Sequence, residues 1–207
     1  MSLKIRKATV SDVEFLAKMI LQSSRAGKKD GIFDLIFQTN DDSFILKKIK
    51  ALTQTNAKTH CNFNNFLIAE INNERVGTLC SYEPRIATKE VFIDALKETG
   101  CPDNVSERLS VLYCCDFNLN NRTLMFDYME EVEGCTDVGI LKGLMQKSLL
   151  TARLKGYRIA QALVEIGSLE TLLFYKTLGF QIVDEQECEL YKEKFGRAGM
   201  VLLAIEF

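Results

Sequence analysis

Seven cysteines and one histidine are the residues of this chain that most readily suggest nucleophilic, redox or metal chemistry. The cysteines stand at 61, 80, 101, 114, 115, 135 and 188, an odd and scattered set. Cys114 and Cys115 are adjacent and so lack the two-residue spacer of a redox or zinc-binding pair, while His60 alone leaves nothing to complete an imidazole-rich ligand set. No metal site is expected, and the thiols are expected to stay reduced in a cytoplasmic setting. Cys135 has no paired histidine to activate it and reads as a small apolar residue.

A second group is acidic. Leu124 to Val132 reads as a strand that carries Asp127, Glu130 and Glu131, with Glu133 just beyond it. Strict alternation sends Asp127, Met129 and Glu131 to one face and Tyr128, Glu130 and Val132 to the other, so one face is expected to carry two carboxylates.

The elements that must position these groups follow from periodicity. Leu3 to Lys7 is a short strand before a helix, which Thr9 caps with Asp12 reaching back and which buries Val13, Leu16, Ala17, Ile20 and Leu21. Residues 31–52 form a second helical layer broken at Asn40-Asp41-Asp42, and residues 66–71 and 75–82 flank a tight turn as a hairpin. Residues 87–115 are a helical insertion divided by Gly100-Cys101-Pro102. After the acidic strand come a helix ending at Gly156, a buried strand from Ile159 to Ile166, and a short helix from Leu169 to Leu178 closed by Gly179. Two last strands follow, from Phe180 to Val183 with its extension and from Met200 to Phe207. Hairpins combined with one crossover helix imply an α+β architecture (mixed α/β), with a mostly antiparallel sheet and helices on both faces.

With 207 residues, 47% hydrophobic and 26% charged, the chain is suited to one domain spanning 1–207. A formal net charge of −2 gives no basic excess for nucleic acid, and no apolar run approaches the length of a membrane helix, so a soluble protein is expected.

The element order, together with Val138-Gly139-Ile140 opening a helix, Ala152 to Tyr157 ending it, and Leu173-Phe174-Tyr175-Lys176-Thr177-Leu178-Gly179-Phe180 after the next strand, resembles the GNAT (GCN5-related N-acetyltransferase) superfamily. The resemblance implies a sheet with a central splay and an acyl-CoA-dependent N-acetyltransferase, with acetyl-CoA or another acyl-CoA as donor. The acceptor would be the primary amine of a small molecule or peptide, with neither nucleic acid nor membrane as partner, and the protein a monomer or homodimer.

In that family a loop of the form Arg/Gln-x-x-Gly-x-Gly/Ala cradles the pyrophosphate of coenzyme A on the amides of a helix start. The corresponding stretch here is Thr136-Asp137-Val138-Gly139-Ile140-Leu141, in which only Gly139 matches. Lys142 follows as a source of positive charge, and Val132, Phe174 and Ser168 complete the cofactor-binding set that the resemblance implies. Ser168 stands where an Asn is frequent at the start of the next helix. Tyr175 takes the place of the tyrosine that protonates the leaving thiolate, and an amine that must lose a proton before attacking makes a carboxylate useful, with Glu131 preferred. The departures at Thr136, Asp137 and Leu141 motivate an alternative, a catalytically impaired GNAT-fold binding or regulatory protein. A third reading is an interaction protein whose surface is the insertion at 87–115.

Overall fold

The computed structural model describes residues 2–117, 119, 122–135 and 138–207, with Val138 described by its backbone only. Its strands are β1 (Leu3–Lys7), β2 (Phe66–Ile71), β3 (Glu74–Tyr82), β4 (Thr123–Glu131), β5 (Ile159–Glu165), β6 (Gln181–Glu187) and β7 (Gly199–Glu206). The helices are α1 (Val13–Arg25), α2 (Ile32–Phe37), α3 (Asp42–Leu52), α4 (Lys89–Glu98), α5 (Val105–Arg108), α6 (Ser110–Tyr113), α7 (Val138–Leu154), α8 (Leu169–Thr177) and α9 (Glu189–Phe195). The strands form one sheet in the order β1-β2-β3-β4-β5-β7-β6. Among the described residues β4–β5 is the one parallel pairing. The mixed, mostly antiparallel sheet is as the sequence implied.

Local chemistry accounts for the first half. The amide of Thr9 donates to the Asp12 carboxylate at 2.8 Å, closing the expected reciprocal cap, and the same carboxylate accepts from Arg6 and Arg75. All five residues of the anticipated α1 stripe are buried. Asp41 caps α3 by accepting from the amides of Ser43 and Phe44. The β2–β3 turn places Asn72 and Asn73 at φ 52° and 66°, the left-handed pair that a two-residue hairpin of this twist requires.

Two cores lie on opposite faces of the sheet. Leu16, Ile20, Phe33, Ile45 and Phe92 pack with Phe66, Ile68, Cys80 and Tyr128 on the face covered by α1 to α5. Ile140, Leu144, Met145 and Tyr175 pack with Ala69, Leu79, Leu124 and Phe126 on the face covered by α7 and α8. Neighbouring residues of β2 and β3 thus divide between the two cores, as pleating demands.

Three expectations need correction. The seven-residue helix α9 interrupts what reads as two strands and a connection; it buries Tyr191 and stops at Gly196, where φ is 68°. Only one of its residues is buried, so it has no apolar stripe for sequence reading to find. The thiols are not all reduced: Cys114 and Cys188 form a disulfide across 74 residues, with Cα atoms 6.1 Å apart. Folding brings α6 beside α9, a proximity that no local spacing encodes, and the cytoplasmic expectation loses the support it drew from free thiols. The third correction concerns the faces of β4.

Candidate functional site

β3 and β4 do not alternate uniformly against each other. Cys80 pairs with Asp127 and Thr78 with Glu130, so Leu79 alone faces both Tyr128 and Met129. This is a β-bulge in β4, with Tyr128 at φ 44°. Directly paired residues share a face, so Asp127 and Glu130 lie with Cys80 and Thr78 on the α1 face, while Glu131 pairs with Gly77 and lies on the α7 face. The cores confirm the inversion: Phe126 packs on the α7 side, and Tyr128, two residues on, packs on the other. Two carboxylates do share a face, but they are Asp127 and Glu130, not Asp127 and Glu131. Thr78 braces the bulge by donating its hydroxyl to the carbonyl of Tyr128 at 3.1 Å.

At the same level the sheet parts. The β4–β5 register runs from Thr123↔Ile159 to Phe126↔Ala162 and stops there, while β5 continues against β7 through Glu165. Asp127 is therefore the first residue of β4 beyond the last pair. Its half-buried carboxyl accepts from the Tyr128 amide at 2.7 Å, a bond that favours the charged form. Removal from water outweighs that bond and pushes its pKa up to about 6. Beneath it Tyr128 Oη lies 3.3 Å from His60 Nε2 and 3.6 Å from Cys61 Sγ, and the His60 ring packs against Tyr82 and Phe92. Burial holds His60 neutral, with its pKa lowered to about 4.

Tyr175 stands on the other side of the parting. It is buried on α8, with its ring 5.1 Å from that of Phe180 and 6.1 Å from that of Phe174. Burial raises its phenol well above the ordinary value, and the charge of Asp127 adds to the rise. The tyrosine keeps its proton.

The α7 start is less fully described. Thr136 and Asp137, and the side chain of Val138, lie outside the described residues. Gly139 and Lys142 are exposed, Ile140 is fully buried, and Leu141 packs half-buried into the α7-side core. Ile140 is seated against Gly77, where an added Cβ would lie 2.9 Å from Ile140 Cγ2 and 3.1 Å from the Glu130 carbonyl. The amide of Val132 is committed to the sheet, donating to Val76 at 3.0 Å. Ser168 occupies the N-cap position of α8, yet its side chain makes no cap hydrogen bond.

The structure thus puts Asp127 just beyond the last β4–β5 pair and Tyr175 in the α7-side core, and puts Glu131 on a different face from Asp127. Two surface depressions, one lined by Lys4, Glu70 and Asn72 and one by Arg153, Tyr157 and Phe207, border neither Asp127 nor Tyr175. Across the α1 face the loop after α1 is tied to the far end of β5, where Glu165 meets Lys28 and accepts from Tyr191 at 2.8 Å.

The mixed sheet opens between β4 and β5, and the 17-residue helix α7 lies on the connection between those two strands. No protein-family model matches the chain, and no curated protein matches it by sequence. Solved structures do. An N-acetyltransferase from Staphylococcus aureus Mu50 aligns with a TM-score of 0.72 at 15% identity, covering 98% of this chain and 100% of that one. A GCN5-related N-acetyltransferase from Kribbella flavida aligns at 0.61 and 12% identity over 99% of this chain and 98% of its own. The PaiA N-acetyltransferase of Thermoplasma acidophilum, in complex with coenzyme A, aligns at 0.57 and 14% identity over 100% of both chains. The chain has the GCN5-related N-acetyltransferase fold. Among the described residues no helix is long and apolar enough to cross a membrane.

Proposed function

We propose that the chain transfers an acetyl or other acyl group from acyl-CoA to a primary amine, with Asp127 as the base and Tyr175 as the acid. The observation that carries this reading is the parting of β4 and β5 directly after Phe126↔Ala162, with a carboxyl of raised pKa on one side and a buried, protonated phenol on the other. The residues present suit coenzyme A. Leu141 turns into the core instead of across the opening, and exposed Gly139 and Lys142 stand at the start of a 17-residue helix whose end attracts anions. The backbone of residues 138–142 and the Lys142 ammonium would hold the pyrophosphate. Phe174 and the separated edges of β4 and β5 would flank the pantetheine arm.

When bound, coenzyme A supplies the acyl group as a thioester. Asp127 lies on the face away from α7, so the acceptor would approach from the α1 side. An alkylammonium of pKa about 10 must lose a proton to become a nucleophile, and a carboxylate titrating near 6 is ionised and able to take it at neutral pH. The Tyr175 phenol then has a proton to give to the departing sulfur. The arrangement relies mainly on positioning of the amine against the thioester.

Mass spectrometry of the purified protein tests the donor directly, by detecting copurified acyl-CoA, and calorimetric titration with acetyl-CoA gives its affinity. No heat at millimolar cofactor would end the transferase reading. Binding without release of free thiol, across a panel of small amines and peptides, would leave a binding module in its place.

A further inference from the structure

We propose that Cys114, Cys115 and Cys188 form, in the reduced protein, a three-thiolate site for a single thiophilic metal ion of the zinc class. Their three Sγ atoms lie within 4.8 Å of one another. Zinc–sulfur bonds of about 2.3 Å place the sulfurs of a tetrahedral site roughly 3.8 Å apart, so rotation of these side chains converts the cluster into a coordination shell. The Cα atoms of Cys114 and Cys188, 6.1 Å apart, allow a shared metal as readily as a bond.

The surroundings favour a soft ion. Among the described residues no histidine or carboxylate joins the trio, so three sulfurs and a water would make up the shell, which selects zinc, cadmium or copper(I) over magnesium or calcium. Cys115 is buried, with its thiol 3.7 Å from the carbonyl of Gln186, whereas Cys114 and Cys188 are half-buried and give the ion a way in. Val111, Phe117, Tyr191 and Leu202 pack around the cluster and shield it. An ion here would join the insertion, through α6, to the β6–α9 junction.

The disulfide is then the oxidised form of the same site. A reductant of the dithiol class gives two electrons and two protons to the Cys114–Cys188 bond, yielding two thiols and closing to its own disulfide. Binding the ion afterwards releases the protons of all three thiols. Adjacent cysteines carry no such signal in sequence, because the third ligand arrives from 73 residues beyond Cys115.

The test uses the full chain, reduced and then freed of reductant under argon, titrated with Zn2+ against a chromophoric chelator and with Cd2+ by its thiolate charge-transfer absorption. One ion per chain is expected, with affinity falling at least tenfold in Cys188→Ser and Cys114→Ser and unchanged in Cys101→Ser and Cys135→Ser. Should a variant fold poorly, alkylation of the parent chain supplies the second readout: Zn2+ is expected to protect Cys114, Cys115 and Cys188 and to leave Cys101 and Cys135 reactive. Absence of a one-to-one complex, parent-like affinity in Cys188→Ser, or protection spread evenly over the cysteines would overturn the proposal and leave a purely structural disulfide.

Discussion

Desolvation and a single amide hydrogen bond pull the Asp127 carboxyl in opposite directions, and desolvation wins, leaving it near 6. A base of that pKa gives a kcat/KM that rises with pH through a midpoint near 6 and is lost below it. Asp127→Asn is expected to lower turnover by about 10²-fold or more and to remove that limb of the pH profile, whereas Glu131→Gln should stay within a few fold, since its side chain lies on the opposite face. Steady-state kinetics of the two variants with one acceptor decides between them; a larger loss in Glu131→Gln would restore Glu131 as the base. Tyr175→Phe keeps the ring packed against Phe180 but removes the proton, so kcat should fall by about 10²-fold with little change in KM for the acyl donor. The helix that carries Tyr175 was legible in sequence because its surroundings, from Leu173 to Phe180, are local. The face taken by Glu131 was not. Alternation put Glu131 beside Asp127, and one extra residue at Tyr128 reverses every side chain after it.

The same bulge matters at the scale of elements. α7 can start beside the opening only because β3 offers it a bare backbone at Gly77, where Ile140 seats. Gly77→Ala puts a methyl group within 2.9 Å of the Ile140 side chain and 3.1 Å of a main-chain carbonyl, and the carbonyl cannot yield cheaply. The expected cost is about 1–3 kcal/mol by denaturant unfolding, together with weaker acyl-CoA binding as α7 is displaced. A Gly77→Ala protein of unchanged stability would show that α7 rests on β3 more loosely than the packing implies. Most elements could be read from the sequence for a common reason: α1 has its stripe behind the Thr9–Asp12 turn, the hairpin its short turn after Ile71, and α7 its Gly156 stop. The helix α9 lacks such a signature, and the parting of β4 from β5 has none in either strand. It is a property of register between strands whose paired residues stand 36 apart in the chain, expressed only when both are placed.

Across the whole molecule, acid stability should be governed by two interior groups whose effects oppose each other. His60 has a folded pKa of about 4 against 6.5 in an open chain, so the native state binds fewer protons between those values and its stability is lost as pH falls from 6.5 through 4. Asp127 runs the other way. Its folded pKa of about 6 lies above the ordinary 3.8, so the native state binds more protons between those values and stability declines as pH rises from 3.8 through 6. From pH 4 to 6 the two slopes, each at most about 1.4 kcal/mol per pH unit, nearly cancel. Below that window the Asp12 carboxylate, held well under its usual range by Arg6, supplies the remaining acid sensitivity as it protonates. The parent chain should therefore show an almost level unfolding free energy between pH 4 and 6. Asp127→Asn should expose the histidine slope, with stability rising with pH through the window, and should be more stable than the parent by about 1–3 kcal/mol at pH 7. His60→Gln should expose the aspartate slope, with stability falling as pH rises, and the double variant should be level again. Urea unfolding of the four proteins at pH 4, 5, 6 and 7 measures all of this. A single variant that stays level through the window would mean that the group it retains is solvated, and with it the desolvation on which the Asp127 assignment depends would be lost.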